Sequence, residues 1–441
     1  MTTTRLVIIG NGMAGLRTLE ELLPLRPPGL SVTVFGAEDR PAYNRIQLSP
    51  VLAGEMDLDE VALRPASWYA EQGVTLHLDQ TVVEVDRQHR EVRCASGLRA
   101  GYDRLVLATG SLPFMPPLPG RELAGVMAYR DVADTQAMIA AAQAYRQAVV
   151  IGGGLLGLEA ACGLARRGMA VTVVHLAPWL MERQLDRPAG ALLAAALGRR
   201  GLHFALGAPT EALLGDAAGR VRAVRLKDGR ELPASLVVVA AGIRPRTELA
   251  QAMGLQCDHG GRGGVRVTDT LQSVTDPRVY AVGECASHRG TAYGLVAPAY
   301  EQARVCANHL AGLGVARYPG SQTSTQLKVS GIALFSAGDF MGGEGCEEIV
   351  LDDPAAGVYR KLVLREGRLV GACLYGDTQD GPDLLRLIRA GTPVTTGRDA
   401  LMFDPAGVLA AGTEASGAPP PTRPARLAAG TALDAHQALP A

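Results

Sequence analysis

Apolar residues in this chain come as short β-branched blocks, each followed by a glycine turn and then by a helical period. Residues 5–10, "RLVIIG", read as a buried strand, "NGMAG" as a turn, "LRTLEELLPL" as an amphipathic helix and "SVTVFGAE" as the next strand. Strand, turn, helix and strand in that order make a βαβ unit with neighbouring parallel strands. The order recurs over residues 146–177 as "RQAVVIG", "GGLLG", "LEAACGLARRG" and "AVTVVHLA". The chain therefore reads as an internal duplication of nucleotide-binding architecture, and two sites suggest two nucleotides.

The parallel extends beyond the turns. "TVVEVDRQHREVRC" alternates like a small meander before the apolar strand "RLVLATG", and "ALLGDAAGRVRAVRLKDGRELPASLVVVAAGIRP" repeats meander and strand. From 321 to about 403, alternation in "LKVSGIALFSAGDF" and "GVYRKLVLREGRLVGACLYG", with the helical "PDLLRLIRAG", predicts a separate α+β module. Beyond it Pro, Gly, Ala and Thr dominate, which predicts a flexible tail. The expected fold class is α/β: two Rossmann-like three-layer nucleotide-binding domains plus a C-terminal α+β module. The expected boundaries are 1–118 with 243–318 for a discontinuous first domain, 119–242 for the inserted second, 319–405 for the module and 406–441 for the tail.

Composition narrows the class. With 441 residues, 47% hydrophobic and 20% charged, the chain buries an ordinary globular core. A formal net charge of -1 gives no electrostatic footprint for nucleic acid or an anionic membrane. The N-terminal stretch lacks the features of a secretory signal, and no apolar run reaches bilayer length, so a cytoplasmic protein is expected. The seven cysteines, at 94, 162, 257, 285, 306, 346 and 373, are scattered, with no two-residue spacing for a redox disulfide, zinc or an iron-sulfur cluster. No metal site is expected, and the dispersed thiols fit a reducing compartment.

Gly10, Gly12 and Gly15 form GxGxxG after a strand and at the start of a helix, the context in which backbone N–H groups meet a diphosphate. Glu38, past the second strand, reads either as the acid that bonds a ribose or as a solvated loop acid. Gly152, Gly154 and Gly157 repeat the fingerprint, with Glu159 on the first helical turn. Where an acid ordinarily declares for NAD, the second unit has His175, and Arg183 follows eight residues on. Dinucleotide choice stays open there, as does whether His175 touches a ribose at all. "YAVGECA" sets Gly283 and Glu284 at another strand end, where the acid could accept hydrogen bonds from a polyol. A helix follows whose N-terminus near Ala297 could stabilise electron density on a reduced flavin ring. Cys285, without a second cysteine nearby, reads as packing.

"GNGMAG", "LATGSLP", "GGGLLGLE" and "YAVGECA", in that order, resemble the two-dinucleotide-binding flavoprotein reductases, the family of glutathione, rubredoxin and ferredoxin reductases. Within it, "FGAEDRPAYNRIQLS" and "VVHLAPWLMERQLD" are most similar to the N-terminal flavin module of assimilatory NADH-dependent nitrite reductase large subunits and related stand-alone reductases. The resemblance implies FAD at the first site and NADH at the second, with NADPH left open. It implies that Gly10, Gly12, Gly15 and Glu38 hold the FAD adenylate, Val82 its adenine through the backbone, and Arg45 and Arg130 further FAD contacts. Thr109, Gly110 and Gly283 would lie close to FAD, Glu284 on the ribityl chain and Val296 near the flavin ring. Gly152, Gly154, Gly157 and His175 fall to NAD(P)H, with Glu159, Gly242 and Ile243 facing the nicotinamide.

There are departures. Rubredoxin-type relatives usually carry a lysine after "LS" that pairs with the helix glutamate, whereas Ser49 is followed here by Pro50. No early redox disulfide is present, which argues against disulfide substrates. The implied chemistry is hydride transfer from nicotinamide to flavin, then electron delivery to a protein acceptor, a nitrate or nitrite reductase component or another iron-sulfur protein. The alternatives are a rubredoxin or ferredoxin reductase of another electron-transfer system, and a flavoprotein redox sensor without steady turnover.

Overall fold

A computed structural model describes residues 3–25, 27–258, 263–321, 324–329, 331–391, 393–394 and 398–416. It divides into two compact units, Met1–Leu334 and Phe335–Ala441. The division falls inside the strand Ile332–Gly338, somewhat later than the sequence boundary at 319.

In the first unit the β-branched blocks become central parallel strands, buried on both faces as parallel sheets require. One five-stranded sheet has the order Val279–Ala281, Arg104–Leu107, Thr4–Ile9, Leu30–Phe35, Val74–His77. All its pairings are parallel, and Leu6, Val7, Ile8, Leu105, Val106 and Ala281 are almost wholly enclosed. The second sheet, also all parallel, runs His203–Leu206, Ala170–His175, Gln147–Ile151, Leu236–Val239, Val126–Ala128. The first sheet thus draws strands from both sides of the second, because Val279–Ala281 returns to pair with Arg104–Leu107.

Helix Met13–Leu22 buries Gly15, Leu16, Thr18, Leu19 and Leu22, the three-and-four spacing of a helix lying on a sheet. Helix Val296–Leu310 packs against it. Helix Val132–Ala144, which has no glycine fingerprint, is started by Asp131, whose carboxylate accepts the N–H of Asp134. The two meanders form three-stranded antiparallel sheets, Val82–Asp86 to Arg99–Gly101 and Thr210–Gly215 to Glu231–Pro233.

In the second unit antiparallel strands lie in the order Arg368–Tyr375, Val358–Arg365, Cys346–Asp353. Helix Gly381–Ala390 covers them with Leu384 and Leu387. Arg360 is buried and satisfied by Asp377 at 2.6 Å, Asp380 at 2.7 Å and the Met402 carbonyl at 3.0 Å. The expected tail is corrected at its start: Pro405–Ser416 is helical. Asp404 accepts the N–H of Gly407 at 3.0 Å and Val408 is buried, so a local cap and an apolar anchor outweigh the Ala/Gly-rich composition. The rest of that stretch, 417–441, lies outside the described residues.

Both glycine turns impose the same steric rule. A methyl group on Gly157 would overlap the carbonyl oxygen of Gly152, whereas one on Gly154 would meet nothing within 4 Å. Gly157→Ala should therefore lower the unfolding free energy by about 1–3 kcal/mol, while Gly154→Ser, a good helix cap, should change it by less than about 0.5 kcal/mol. Urea denaturation of the two variants checks this, and equal losses would remove the distinction.

Candidate functional site

At the first turn the chain leaves strand Thr4–Ile9 and enters helix Met13–Leu22 across three residues. Gly10 adopts φ +111°, its N–H donates to the Phe35 carbonyl at 2.8 Å, and any β-carbon on it would overlap the Ala108 carbonyl. Gly15 touches the Gly10 carbonyl in the same way. Gly12, by contrast, faces open space, and no side chain caps the helix. An open face beside uncapped helical N–H groups fits a diphosphate. Beside it the buried amide nitrogen of Asn11 has no partner among the described residues, while its oxygen accepts the Tyr69 hydroxyl at 2.9 Å.

The second turn repeats these contacts. Gly152 N–H donates to the Val174 carbonyl at 2.8 Å, Gly152 backs onto the Ala240 carbonyl, Gly157 onto Gly152, and Gly154 is open. Helix Leu155–Arg166 also lacks a side-chain cap. The middle residue differs. At the first site Asn11 lies over Gly36, the residue after the neighbouring strand; at the second Gly153 lies against the ring of His175, the register equivalent of Gly36.

His175 is buried and engaged at both ring nitrogens. Nδ1 accepts the Gly153 N–H at 3.0 Å, so Nε2 carries the proton and donates to Glu182 at 2.8 Å. Arg183 is exposed.

Around the first turn a polar chain links the predicted residues. Glu38 accepts the Tyr43 hydroxyl at 2.8 Å and pairs with Arg45. Arg45 donates to the Arg130 carbonyl at 3.1 Å, and the Arg130 guanidinium pairs with Glu284. Ser111 donates to the same Glu284 oxygen at 2.6 Å, which leaves Oε1 without a partner among the described residues. Gly283 packs on Ala14 of the first helix and donates its N–H to Gln302 at 2.8 Å, setting Glu284 beside the turn. Thr109 donates to the Arg246 carbonyl at 2.9 Å, and Arg246 N–H donates to Gly110, which has φ +69°.

Helix Val296–Leu310 begins at Val296 itself, uncapped by any side chain. Val82 opens the meander strand opposite Cys94, followed by a bulge. Cys285 is buried with its thiol donating to the Leu107 and Val282 carbonyls, and burial raises its pKa, so packing accounts for it.

Glu159 sits on helix Leu155–Arg166, largely enclosed, and accepts the Ser49 hydroxyl at 2.6 Å; the Tyr129 hydroxyl lies 3.5 Å from Ser49. Serine thus meets the glutamate where the related reductases were expected to offer lysine. Burial raises the Glu159 carboxyl above its ordinary range, against the lowering effect of Ser49, and burial pushes the Tyr129 hydroxyl up to about 12. Gly242, at φ +112°, faces open space, and Ile243 pairs with Pro113 where the strands Ile243–Pro245 and Ser111–Pro113 run antiparallel. Tyr43, Ser111, Gln302 and Glu182 carry no motif of their own and became visible only through these contacts.

Residues 4–307 match the family described as pyridine nucleotide-disulphide oxidoreductase, and residues 324–392 match the rubredoxin NAD+ reductase C-terminal domain. A Bacillus subtilis protein named nitrite reductase [NAD(P)H] is 48% identical over 389 residues, covering 88% of this chain and 48% of its own. The assimilatory nitrate reductase electron transfer subunit of the same organism is 43% identical over 385 residues, covering 87% and 49%. The chain therefore spans about half the length of these curated relatives. A solved covalent complex of putidaredoxin reductase with putidaredoxin matches at TM-score 0.82 and 27% identity, covering 94% of this chain and 100% of that one. Among the described residues no helix is long and apolar enough to cross a membrane.

The enclosed carboxyl has a pH signature. The unfolded chain releases the Glu159 proton near the ordinary glutamate value of about 4.3, whereas the fold holds it to higher pH. Between those values the folded state binds more protons, so unfolding free energy falls as pH rises through the window and stays lowered above it. Glu159→Gln should remove that fall and leave flavin-free protein more stable than wild type at neutral pH. Urea unfolding across pH checks the sign; a variant no more stable at neutral pH would contradict it.

Proposed function

The chain belongs to the pyridine nucleotide-disulphide oxidoreductase family, and from that premise we propose that it carries electrons from NADH through FAD to a protein acceptor of nitrate or nitrite assimilation. It is an FAD-dependent NAD(P)H oxidoreductase, as that family binds both groups. The observation that carries the reading is the pair of open-faced glycine turns, each beside an uncapped helix, within one compact unit. The names of the two Bacillus subtilis relatives support the assimilatory role.

In this reading residues 1–118 with 243–318 hold FAD, 119–242 hold the nicotinamide dinucleotide, and 319–405 form a third module. When bound, FAD supplies hydride acceptance from a nicotinamide and electron release to an acceptor. Gly10, Gly12 and Gly15 admit its diphosphate, and the Asn11 amide, unpartnered among the described residues, is a donor at the same place. Glu38, fixed by Tyr43 and Arg45, takes the adenylate ribose, and the Val82 backbone the adenine. Arg130, Thr109, Gly110 and Gly283 line the path to Glu284, whose free Oε1 accepts from a ribityl hydroxyl. The uncapped N-terminus at Val296 favours negative charge on the isoalloxazine. Gly152, Gly154 and Gly157 admit the second diphosphate. Glu159, Gly242 and Ile243 line the nicotinamide, with Glu159 as the group that orients it and excludes water.

The acceptor is an iron-sulfur or nitrate or nitrite reductase component. A second reading, a rubredoxin or ferredoxin reductase of another system, is favoured by the C-terminal domain match and the putidaredoxin reductase likeness. A cytoplasmic setting accords with seven cysteines scattered along the sequence without paired spacing.

Purified protein should be yellow and bleach on anaerobic titration with NADH. Gly12→Val should lose the flavin absorbance while keeping the wild-type circular dichroism of apoprotein, since Gly12 has φ -94° and open space for a side chain. Full FAD retention in that variant would dismiss the first site. With NADH the protein should reduce ferricyanide rapidly and consume nitrite only once a partner protein is added. Stoichiometric nitrite loss with this chain alone would overturn the acceptor assignment.

A further inference from the structure

The second glycine turn lacks an acid where the first has one. Glu38 lies three residues past strand Leu30–Phe35, and the matching position past Val174 is Ala177. The chain does not continue outward from there. It folds back as a hook over the turn, and the Met181 N–H donates to the Gly153 carbonyl at 3.0 Å. Met181 is fully buried at φ +53°, a left-handed conformation costly for an unbranched L-residue. The Met181 carbonyl accepts the N–H groups of Gln184 and Leu185 at 2.8 Å, and Trp179 Nε1 donates to the Leu185 carbonyl at 3.0 Å. Leu180 and the His175 ring fill the place where a Gly153 side chain would be.

The hook's product is the placement of Glu182. His175 Nε2 holds its Oε2 at 2.8 Å, while Oε1 has no partner among the described residues and the side chain is 34% exposed. Through His175 and Gly153 the carboxylate is tied to the backbone of the diphosphate-type turn itself. We infer that Glu182, brought back by the strained hook and fixed by His175, is the acid that accepts the adenosine ribose hydroxyls and repels a 2'-phosphate, selecting NAD(H) over NADP(H).

This assignment rests on the reading of the second turn as a dinucleotide site. It reassigns a role that strand-end position alone would give to His175, which becomes a positioning residue with no nitrogen to spare. An acid at this place discriminates by a hydrogen bond to one ligand and charge repulsion of the other.

The test is calorimetric binding of NAD+ and NADP+ to the flavin-loaded protein as purified, with flavin content and melting temperature recorded for each variant. Glu182→Gln should weaken NAD+ and strengthen NADP+ so that their affinity ratio moves at least about tenfold. Glu182→Arg should move it further in the same direction. Arg183→Ala should leave NAD+ binding unchanged. A ratio within twofold of wild type in Glu182→Gln, with wild type binding NAD+ normally, overturns the assignment alone. Loss of NADP+ binding in Arg183→Ala with no effect of Glu182→Gln transfers selection to Arg183 and also overturns it. Wild-type protein that binds neither dinucleotide overturns the site reading and the assignment together.

Discussion

The structure depends on a backbone contact that no side chain can share. Where a parallel strand turns into its helix, the carbonyl of the adjoining strand end, Ala108 at one turn and Ala240 at the other, occupies the place of a β-carbon on the first glycine. The first glycine's own carbonyl does the same to the third. This closeness brings each helix N-terminus to the carboxyl ends of its neighbouring strands, the rim where open α/β sheets take ligands. The middle glycine is spared the contact, so the same compaction leaves a gap on the outer side.

Around the first gap the protein arranges charge rather than apolar surface. Two arginines, Arg45 and Arg130, stand between two acids, Glu38 and Glu284, with Tyr43, Ser111 and the Arg130 carbonyl as further hydrogen-bond partners. Partly buried charges of this kind tolerate desolvation only when paired and hydrogen-bonded. The chain spans loops that come from residues 38 to 284, so removing one member leaves its neighbours unpaired and loosens segments distant in sequence. Near the second site polarity is managed differently: the enclosed Glu159 accepts a hydroxyl rather than pairing with a cation among the described residues, and burial there favours its neutral form.

Local order was legible in the sequence because strand, glycine turn and helix are specified by neighbours. β-Branched blocks, GxGxxG and three-and-four apolar spacing are all short-range signals, and the parallel sheets follow from them. Gly12, Gly154 and Glu284 stand where those signals placed them. The partners did not announce themselves, because Tyr43, Ser49, Ser111 and Gln302 act across folds of the chain that periodicity does not encode. His175 shows the limit most clearly. Its place at a strand end left open whether it meets a ribose, and in the fold a backbone N–H on one side and a carboxylate on the other draw it inward. The helix Pro405–Ser416 was hidden for the opposite reason: its composition resembles a linker, and only the cap at Asp404 and the burial of Val408 distinguish it.

The exchange of small and large residues between the two turns has a consequence for how the halves can diverge. Asn11 over Gly36 and His175 over Gly153 fill one gap with the large residue on opposite sides. Each pair is a unit of inheritance: altering one member alone sets two bulky groups together or leaves a void beneath the glycine turn. Fragments recombined between the halves would therefore have to carry a glycine turn together with its neighbouring strand. The duplicated turns share a backbone yet are no longer interchangeable parts.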